Sequence, residues 1–445
     1  MRFKMNTKAT RNREARLQRR RAAAWVLALA GAAGVMGSTT GADADAAPAS
    51  SLTETGESRA KTSWDKVLEN EVVQAFTKGK ASFNARLRWE HADAEGLKPS
   101  DAVTIRPRLG FTTAPVYGLQ GMLEAENVTS LGAPYNPAGL DPDELGRTVI
   151  PDPETTEINQ AWLGYTRWDT TLAGGRQHYI LDDQRFVGDV DWRQNQQTFD
   201  GLTMQSRALE NATFFYGYVS RVNRVLGDGH ADGNWRSDSH LVNASYSLSD
   251  AVTVTGYGYF LAFDNSPANS SSTLGGSVTG KVPVGEEWKL DYRGELAWQT
   301  DARDNPNDYS AMYVGADLGA SYQGWNAGAG YELLGSDNGA SFRTPLALLH
   351  KYNGWADSFL TTPANGLQDL YVRVGTTLPY SIPLQVQLHK FWSHEDALDY
   401  GYEIDAVVSR KFGKYFAGLM KYAYHDADSG IPDIHRFWLQ GEFNY

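Results

Sequence analysis

Cysteine is absent from this 445-residue chain, so neither a disulfide framework nor a thiolate metal site is open to it. Cysteine avoidance also suits an exported chain that crosses a compartment unfolded. Long apolar runs are missing too. Beyond residue 46 no stretch approaches eighteen consecutive apolar residues, which excludes a membrane-spanning helix there. The mean hydropathy of −0.46, taken alone, reads as water-soluble. Basic charge is in deficit, with 41 Lys/Arg against 53 Asp/Glu and a formal net charge of −12. Phosphate contacts need a basic face, so nucleic acid is not an expected partner. Neither the strained G-x-S-x-G turn of a serine hydrolase nor the H-E-x-x-H zinc pattern occurs. The Asp/Asn-rich stretch Asp301–Asp308 lacks the glycine and glutamate spacing of a calcium loop. No enzymatic activity, metal or cofactor is expected.

What is present points to a particular address. Arg11, Arg13, Arg16, Arg19, Arg20 and Arg21 form a basic region, followed by the apolar Ala22–Met36. Ala42-Asp43-Ala44 and Ala44-Asp45-Ala46 each offer a small-x-small cleavage pattern. These fifteen apolar residues fall short of the ~20 that span a bilayer. Residues 1–46 are therefore expected to be a cleaved export signal. Its removal takes away nine Lys/Arg and three Asp/Glu, leaving 32 basic and 50 acidic residues and a net charge of −18.

The rest is rich in the residues of a membrane β-barrel: 44 Gly, 13 Trp and 23 Tyr. Trp and Tyr suit a bilayer interface, where a ring is half wet and half dry. A barrel also explains the low hydropathy, since only alternate residues of each strand face lipid. In the last twelve residues, Phe437, Leu439, Gly441, Phe443 and Tyr445 alternate with Arg436, Trp438, Gln440, Glu442 and Asn444. A closing strand with an aromatic terminus is what outer-membrane barrels present to their assembly machinery. The same period of two appears in Ala81–Glu90, Leu290–Gln299, Leu370–Gly375, Leu384–His389 and Tyr402–Val408. Charges planted opposite apolar residues in mid-strand fit a water-filled lumen better than a sandwich core.

Short turns, such as Tyr322–Trp325, Leu248–Asp250 and Phe412–Lys414, alternate with long connections. The long ones include Thr129–Thr156, Ile180–Thr198, Leu226–Asp238, Asp264–Ser272 and Gly335–Gly366. The expected fold is all-β: a transmembrane antiparallel barrel of about eighteen strands, sixteen being the alternative, over residues 80–445. Short turns would lie in the periplasm and long loops outside the cell. Residues 47–79 form a separate periplasmic segment, flexible over Ala47–Ser63. Within Trp64–Phe76, Val67, Leu68, Val72 and Phe76 sit near helical spacing, as in a short helix or a plug.

Function would then reside in the lumen. Arg86, Arg88, Arg106, Arg108, Arg373 and Arg436 share the inward parity with Glu90, Glu124, Glu126 and Glu442. Arginine forks grip carboxylates in two places, and neighbouring carboxylates keep that grip weak enough for release. The plainer reading is that such pairs brace the wall. The densest connection, Gly174–Asp200, interleaves Arg176, Arg185 and Arg193 with Asp182, Asp183, Asp189, Asp191 and Asp200. Folded inward, it would narrow the pore.

The stretch Gly175-Arg176-Gln177, Asp182–Gly188, Trp192–Asn195 and Gln197–Gly201 resembles the alginate-export family of outer-membrane porins. So do Leu87–Glu90, Arg106–Gly110 and Glu157–Leu163. The resemblance implies an eighteen-stranded barrel whose arginine-lined constriction passes a uronate polymer by diffusion. By position it implicates Arg88, Arg106, Arg108, Arg176, Arg185 and Arg193. The expected lining thus comprises Arg86, Arg88, Arg106, Arg108, Glu124, Arg176, Asp183, Arg185, Asp189, Arg193, Arg373 and Arg436. The expected partners are outer-membrane lipid in a Gram-negative bacterium, the barrel assembly machinery and an anionic polysaccharide or oligosaccharide. The alternative is an uptake porin for small organic solutes or neutral oligosaccharides, with Tyr216, Tyr218, Tyr257 and Tyr259 stacking on sugar rings if they face inward.

Overall fold

The computed structural model describes residues 63–445; the expected export signal and the stretch after it, to residue 62, lie outside the described residues. Helix α1 (Ser63–Thr77) precedes β1 (Lys80–Ala94), β2 (Ser100–Thr112), β3 (Leu119–Ser130), β4 (Thr155–Arg167), β5 (Thr170–Gln177) and β6 (Thr198–Ser206). There follow β7 (Ala212–Asn223), β8 (Asn234–Ser249), β9 (Val252–Leu261), β10 (Ser271–Val284), β11 (Trp288–Asp301), β12 (Ser310–Tyr322) and β13 (Trp325–Leu334). A small hairpin, β14 (Ser336–Asp337) and β15 (Ala340–Ser341), interrupts the series. Then come β16 (Leu367–Leu378), β17 (Ile382–Trp392), β18 (Asp399–Phe412), β19 (Phe416–Ala427) and β20 (Ile434–Asn444). All but the small hairpin form one 18-stranded antiparallel sheet. It closes by pairing β1 with β20, so that Arg88 lies opposite Gln440 and Trp89 opposite Leu439. The strand count is eighteen, not sixteen.

The period of two builds the two faces as expected. Leu87, Leu296, Leu370 and Leu439 are exposed on the outer wall, while Arg86, Arg88, Glu90 and Arg436 are buried inside. Trp288 stacks on Tyr322 at one end of the wall, with ring centroids 4.6 Å apart, and Trp298 and Tyr402 lie exposed near the other. Rings at both ends match the two interfaces of a bilayer. Among the described residues no helix is long and apolar enough to cross a membrane; the strands cross it.

Three short turns follow from one local geometry. Tyr117-Gly118, Trp168-Asp169 and Gln323-Gly324 each place both central residues at positive φ. That is the two-residue turn whose twist matches antiparallel strands. These turns share a rim with the start of β1 and the end of β20, and the long connections leave from the opposite rim. The C-terminal part of α1 stays out of the lumen. Phe76 stacks on Phe111, which shares the outer face with Ala81, so the plug alternative does not hold there.

The lumen is not uniformly polar. On the side of β6 to β13, Phe199, Tyr257, Tyr259 and Tyr313 pack with Leu181, Phe186, Val187, Phe342 and Leu346 from inward-folded loops in a dry core. Tyr257 and Tyr259 thus face inward but are covered by Phe186, at 5.1 and 6.0 Å between ring centroids. Tyr216 and Tyr218 do not join them. Phe215 and Val219 hold the buried parity of β7, which turns the two tyrosines outward, where they meet His240.

Glycine tests this packing. A Cβ on Gly201, at the β6 bulge, would come within 1.9 Å of the Tyr218 carbonyl oxygen, whereas one on Gly441 would meet nothing within 4 Å. G201V should cost about 3 kcal/mol or more through overpacking. Loss of the heat-sensitive gel shift of the folded barrel in G201V, with G441V unchanged, is the expected outcome.

Candidate functional site: an arginine cluster closed by inward-folded loops

The wall sets the problem that the loops solve. Pairing of β1 with β2 puts Arg86 directly opposite Arg106, with Arg88 and Arg108 on the same inner face. Like charges in register repel. Into this cluster the β5–β6 connection inserts Asp191. Its carboxylate lies 3.3 Å from Arg86, 3.1 Å from Arg106 and 3.4 Å from Arg108. The preceding Val190 is held at φ 52°, a left-handed conformation that a β-branched residue rarely adopts. Burial works to raise the Asp191 carboxyl, but Arg86, Arg106 and Arg108 outweigh it and hold it below the usual carboxylate range. Asp191 nevertheless keeps 43% of its side chain exposed. It forms part of the lining of a cavity of about 520 Å³, together with Asn84, Arg106, Arg108, Glu124 and Glu442. The cavity also touches Lys414, Tyr415 and Tyr445, which places its mouth at the short-turn rim.

Behind Asp191 the β5–β6 connection and the connection between β13 and β16 lock together. Leu346 accepts the Gly188 N–H at 2.9 Å, and Leu348 donates its N–H to Gln184 at 3.1 Å. Trp192 stacks flat on His350, with centroids 4.1 Å apart and planes 4° from parallel. Lys421 on β19 donates to His350 Nε2 at 2.7 Å and lies over the rings of Trp355 (3.7 Å) and Trp192 (4.4 Å). That leaves His350 Nδ1 as the protonated nitrogen, which donates to Asp357 at 2.7 Å. Burial first, then Lys421 and Arg193, push His350 well below its ordinary value against the pull of Asp357. Burial opposes the Asp357 carboxylate, and His350, Arg193 and Arg436 more than offset it.

Most of the expected lining residues serve this lock. Arg193 binds Glu90 at 3.1 Å and Asp357 at 3.0 Å, and Arg436 binds the same Glu90 at 3.1 Å. Arg88 reaches Gln440, the Trp192 carbonyl and Asp152, the last at 3.7 Å. Arg185 forks onto Glu332 at 2.7 and 3.0 Å and also holds Thr344 and Asn353. Asp189 is buried, accepting from Gln196 at 2.7 Å. Asp183 pairs with Arg293 at 2.5 Å, and Glu124 accepts from Asn159 at 2.8 Å. Arg373 pairs with Asp317 across the β12–β16 side of the lumen. Arg176 is elsewhere: it lies opposite Ala161 on the outward parity of Leu163 and forks onto Asp200 at 2.7 and 3.0 Å. The GRQ strand alternates through Leu172 and Gly174 to the outer face, which explains its departure from the expected lining.

Sequence reasoning left Asp152, His350, Asp357 and Lys421 out of the site. The one available signal was the apolar content of residues 342–366, where Phe342, Leu346, Trp355 and Phe359 are unsuited to an exposed loop. Among the described residues no cluster of His, Asp or Glu has metal-holding geometry.

Residues 122–337 match the family model described as alginate export. No curated protein matches the chain in sequence. Solved outer-membrane porins share its architecture. OccAB2 of Acinetobacter baumannii is 11% identical and superposes with a TM-score of 0.68, over 84% of this chain and 99% of that one. OccK9 (OpdG) of Pseudomonas aeruginosa is 15% identical, with a TM-score of 0.65, over 83% and 100%. The chain has the fold of an outer-membrane porin.

Two predictions test the lock. Protonating His350 would set a second positive charge against Lys421, so the interlocked arrangement of the loops is favoured with His350 neutral. A base with a depressed value contributes stability above its ordinary value, near 6.5 for histidine, and loses about 1.4 kcal/mol per pH unit below it. Bilayer conductance should therefore rise between pH 7.5 and pH 5.5, and H350Q should lose that dependence. E90Q would leave Arg193 and Arg436 buried with weakened partners, at a cost of about 3 kcal/mol or more. Chemical unfolding of E90Q should show a lower midpoint, with an unchanged midpoint refuting a bracing role.

Proposed function

We propose that this barrel is a passive channel for small organic solutes bearing a carboxylate, which exchange with Asp191 at the arginine cluster. The observation that carries this reading is the convergence of Arg86, Arg106 and Arg108 on one half-exposed carboxylate at a solute-sized cavity. Three donors aimed at one acceptor make a carboxylate subsite, and Asp191 occupies it from within. The cavity is in the size range of a single small ligand, and the interlocked loops favour small solutes over an extended polymer. A second reading, passage of an anionic uronate polymer or oligomer, draws support from the alginate-export match. On that reading the loops have to move as one body. Assembly through β20, whose lipid face carries Phe437, Leu439, Phe443 and Tyr445, is part of the same proposal.

Reversal potentials and liposome swelling test it. The wild-type channel should favour anions and admit glucuronate faster than glucose. D191N should raise anion preference by vacating the subsite while slowing release, so that glucuronate permeation saturates at a several-fold lower concentration, and R106A/R108A should abolish the preference. Cation selectivity in both wild type and D191N would refute the reading. Entry of long uronate oligomers at the monomer's rate would favour the polymer instead.

A further inference from the structure

The C-terminal turns of α1 carry a surface that the channel does not use. Val72, Val73 and Phe76 are exposed, at 52%, 57% and 59%. At helical spacing they fall within an arc of about 100°. Away from that arc, Lys78 donates to Gln74 at 2.7 Å and Gln74 to Asn70 at 3.3 Å, forming a polar ladder along the helix. Between the two faces, Ala75 is buried, and its carbonyl accepts the Ala114 N–H at 2.8 Å. The Phe76 ring stacks on Phe111 with centroids 6.1 Å apart and planes 6° from parallel.

Phe111 belongs to the outer wall. Its neighbour Gly110 points inward, since a Cβ there would meet Ser82 and Glu124. Opposite Phe111 lies Ala81, on the outward parity of the exposed Phe83. The apolar arc of α1 is therefore continuous with the lipid-facing wall, at the rim of short turns. Close approach is built in at Gly79, where a Cβ would come within 2.4 Å of the Phe111 ring. Exposed Lys78 and Lys80 flank the same end. Apolar residues on one side and lysines at headgroup level are the features of a helix lying in a membrane interface.

We propose that this part of α1 lies in the periplasmic leaflet of the outer membrane, with Val72, Val73 and Phe76 among phospholipid acyl chains and the Asn70–Gln74–Lys78 ladder toward water. The occupant of the exposed face is phospholipid, because the face continues a wall that lipid already covers.

The absence of cysteine makes the test direct. V73C and, separately, Q74C are labelled with an environment-sensitive fluorophore. Each full chain is then folded into phosphatidylethanolamine/phosphatidylglycerol vesicles, with gel-shift and conductance confirming a wild-type barrel. The label at 73 should be quenched by shallow spin-labelled lipid and be several-fold less accessible to iodide than the label at 74. Equal iodide access at both positions would overturn the proposal. So would protection at 73 that disappears on diluting protein in lipid, which would identify a second copy as the cover. V72C reports on the same face should V73C fail to fold.

Discussion

A guanidinium can be buried only with an anion to meet it, and this barrel buries several along one wall. Arg86 and Arg106 face each other across β1 and β2, with Arg88, Arg108 and Arg436 nearby. The wall strands supply Glu90, Glu124, Glu126 and Glu442, and the rest of the compensation comes from elsewhere. Asp152, Asp191 and Asp357 each arrive from a different connection between strands. An exposed ion pair is worth about 0–1 kcal/mol, whereas an uncompensated buried charge costs several. The inward course of three loops is thus imposed by the strands they connect.

The two halves of the lumen hold the loops by different physics. Toward β6 to β13 the loops are seated by apolar burial, with Phe186 against Tyr257 and Tyr313. Toward β1, β2 and β20 they are seated by ion pairs, and the cavity lies on this side. Dry, close-packed contacts leave no room for water, while charged contacts readily exchange with it. On the proposed function, the solute path runs along the charged wall, displaced from the barrel axis. It also follows that the lock of His350, Lys421 and the tryptophans connects the dry seat to the wet one, because Trp192 follows Asp191 by one residue.

The barrel was legible because alternation is a property of single strands. Once Leu87 and Trp89 are assigned to lipid, Arg86, Arg88 and Glu90 must face inward, and Arg436 follows through the β1–β20 register. The same rule misleads where a segment has no established phase. Arg176 was assigned with the loop that follows it, yet it belongs to the outward parity of a short strand. Tyr216 and Tyr218 sit one residue out of phase with the buried face of β7. Pairing partners were beyond reach for a different reason. Asp191, Asp357 and His350 lie in loops with no period, separated from their partners by as many as 164 residues, so only the folded topology brings them together. The arginines could be read from the sequence, but what each of them holds could not.

The acidic balance of the chain and its arginine cluster are compatible because selectivity is decided locally. At physiological ionic strength, charges more than about 8 Å apart through water are largely screened. The surplus carboxylates of distant loops therefore set little of the potential felt at Arg106 and Arg108. On the proposed function, what a solute meets there is a subsite already filled by Asp191. Entry then replaces one carboxylate with another of the same charge, and the arginines lose no partner during the exchange. The energy of binding is the small difference between two similar ion pairs, not the large value of one. Small differences allow rapid release, which is what a diffusion channel needs. An empty cluster of three arginines would instead hold an anion tightly. On the proposed function, Asp191 keeps the cluster selective for carboxylates while preventing it from becoming a trap.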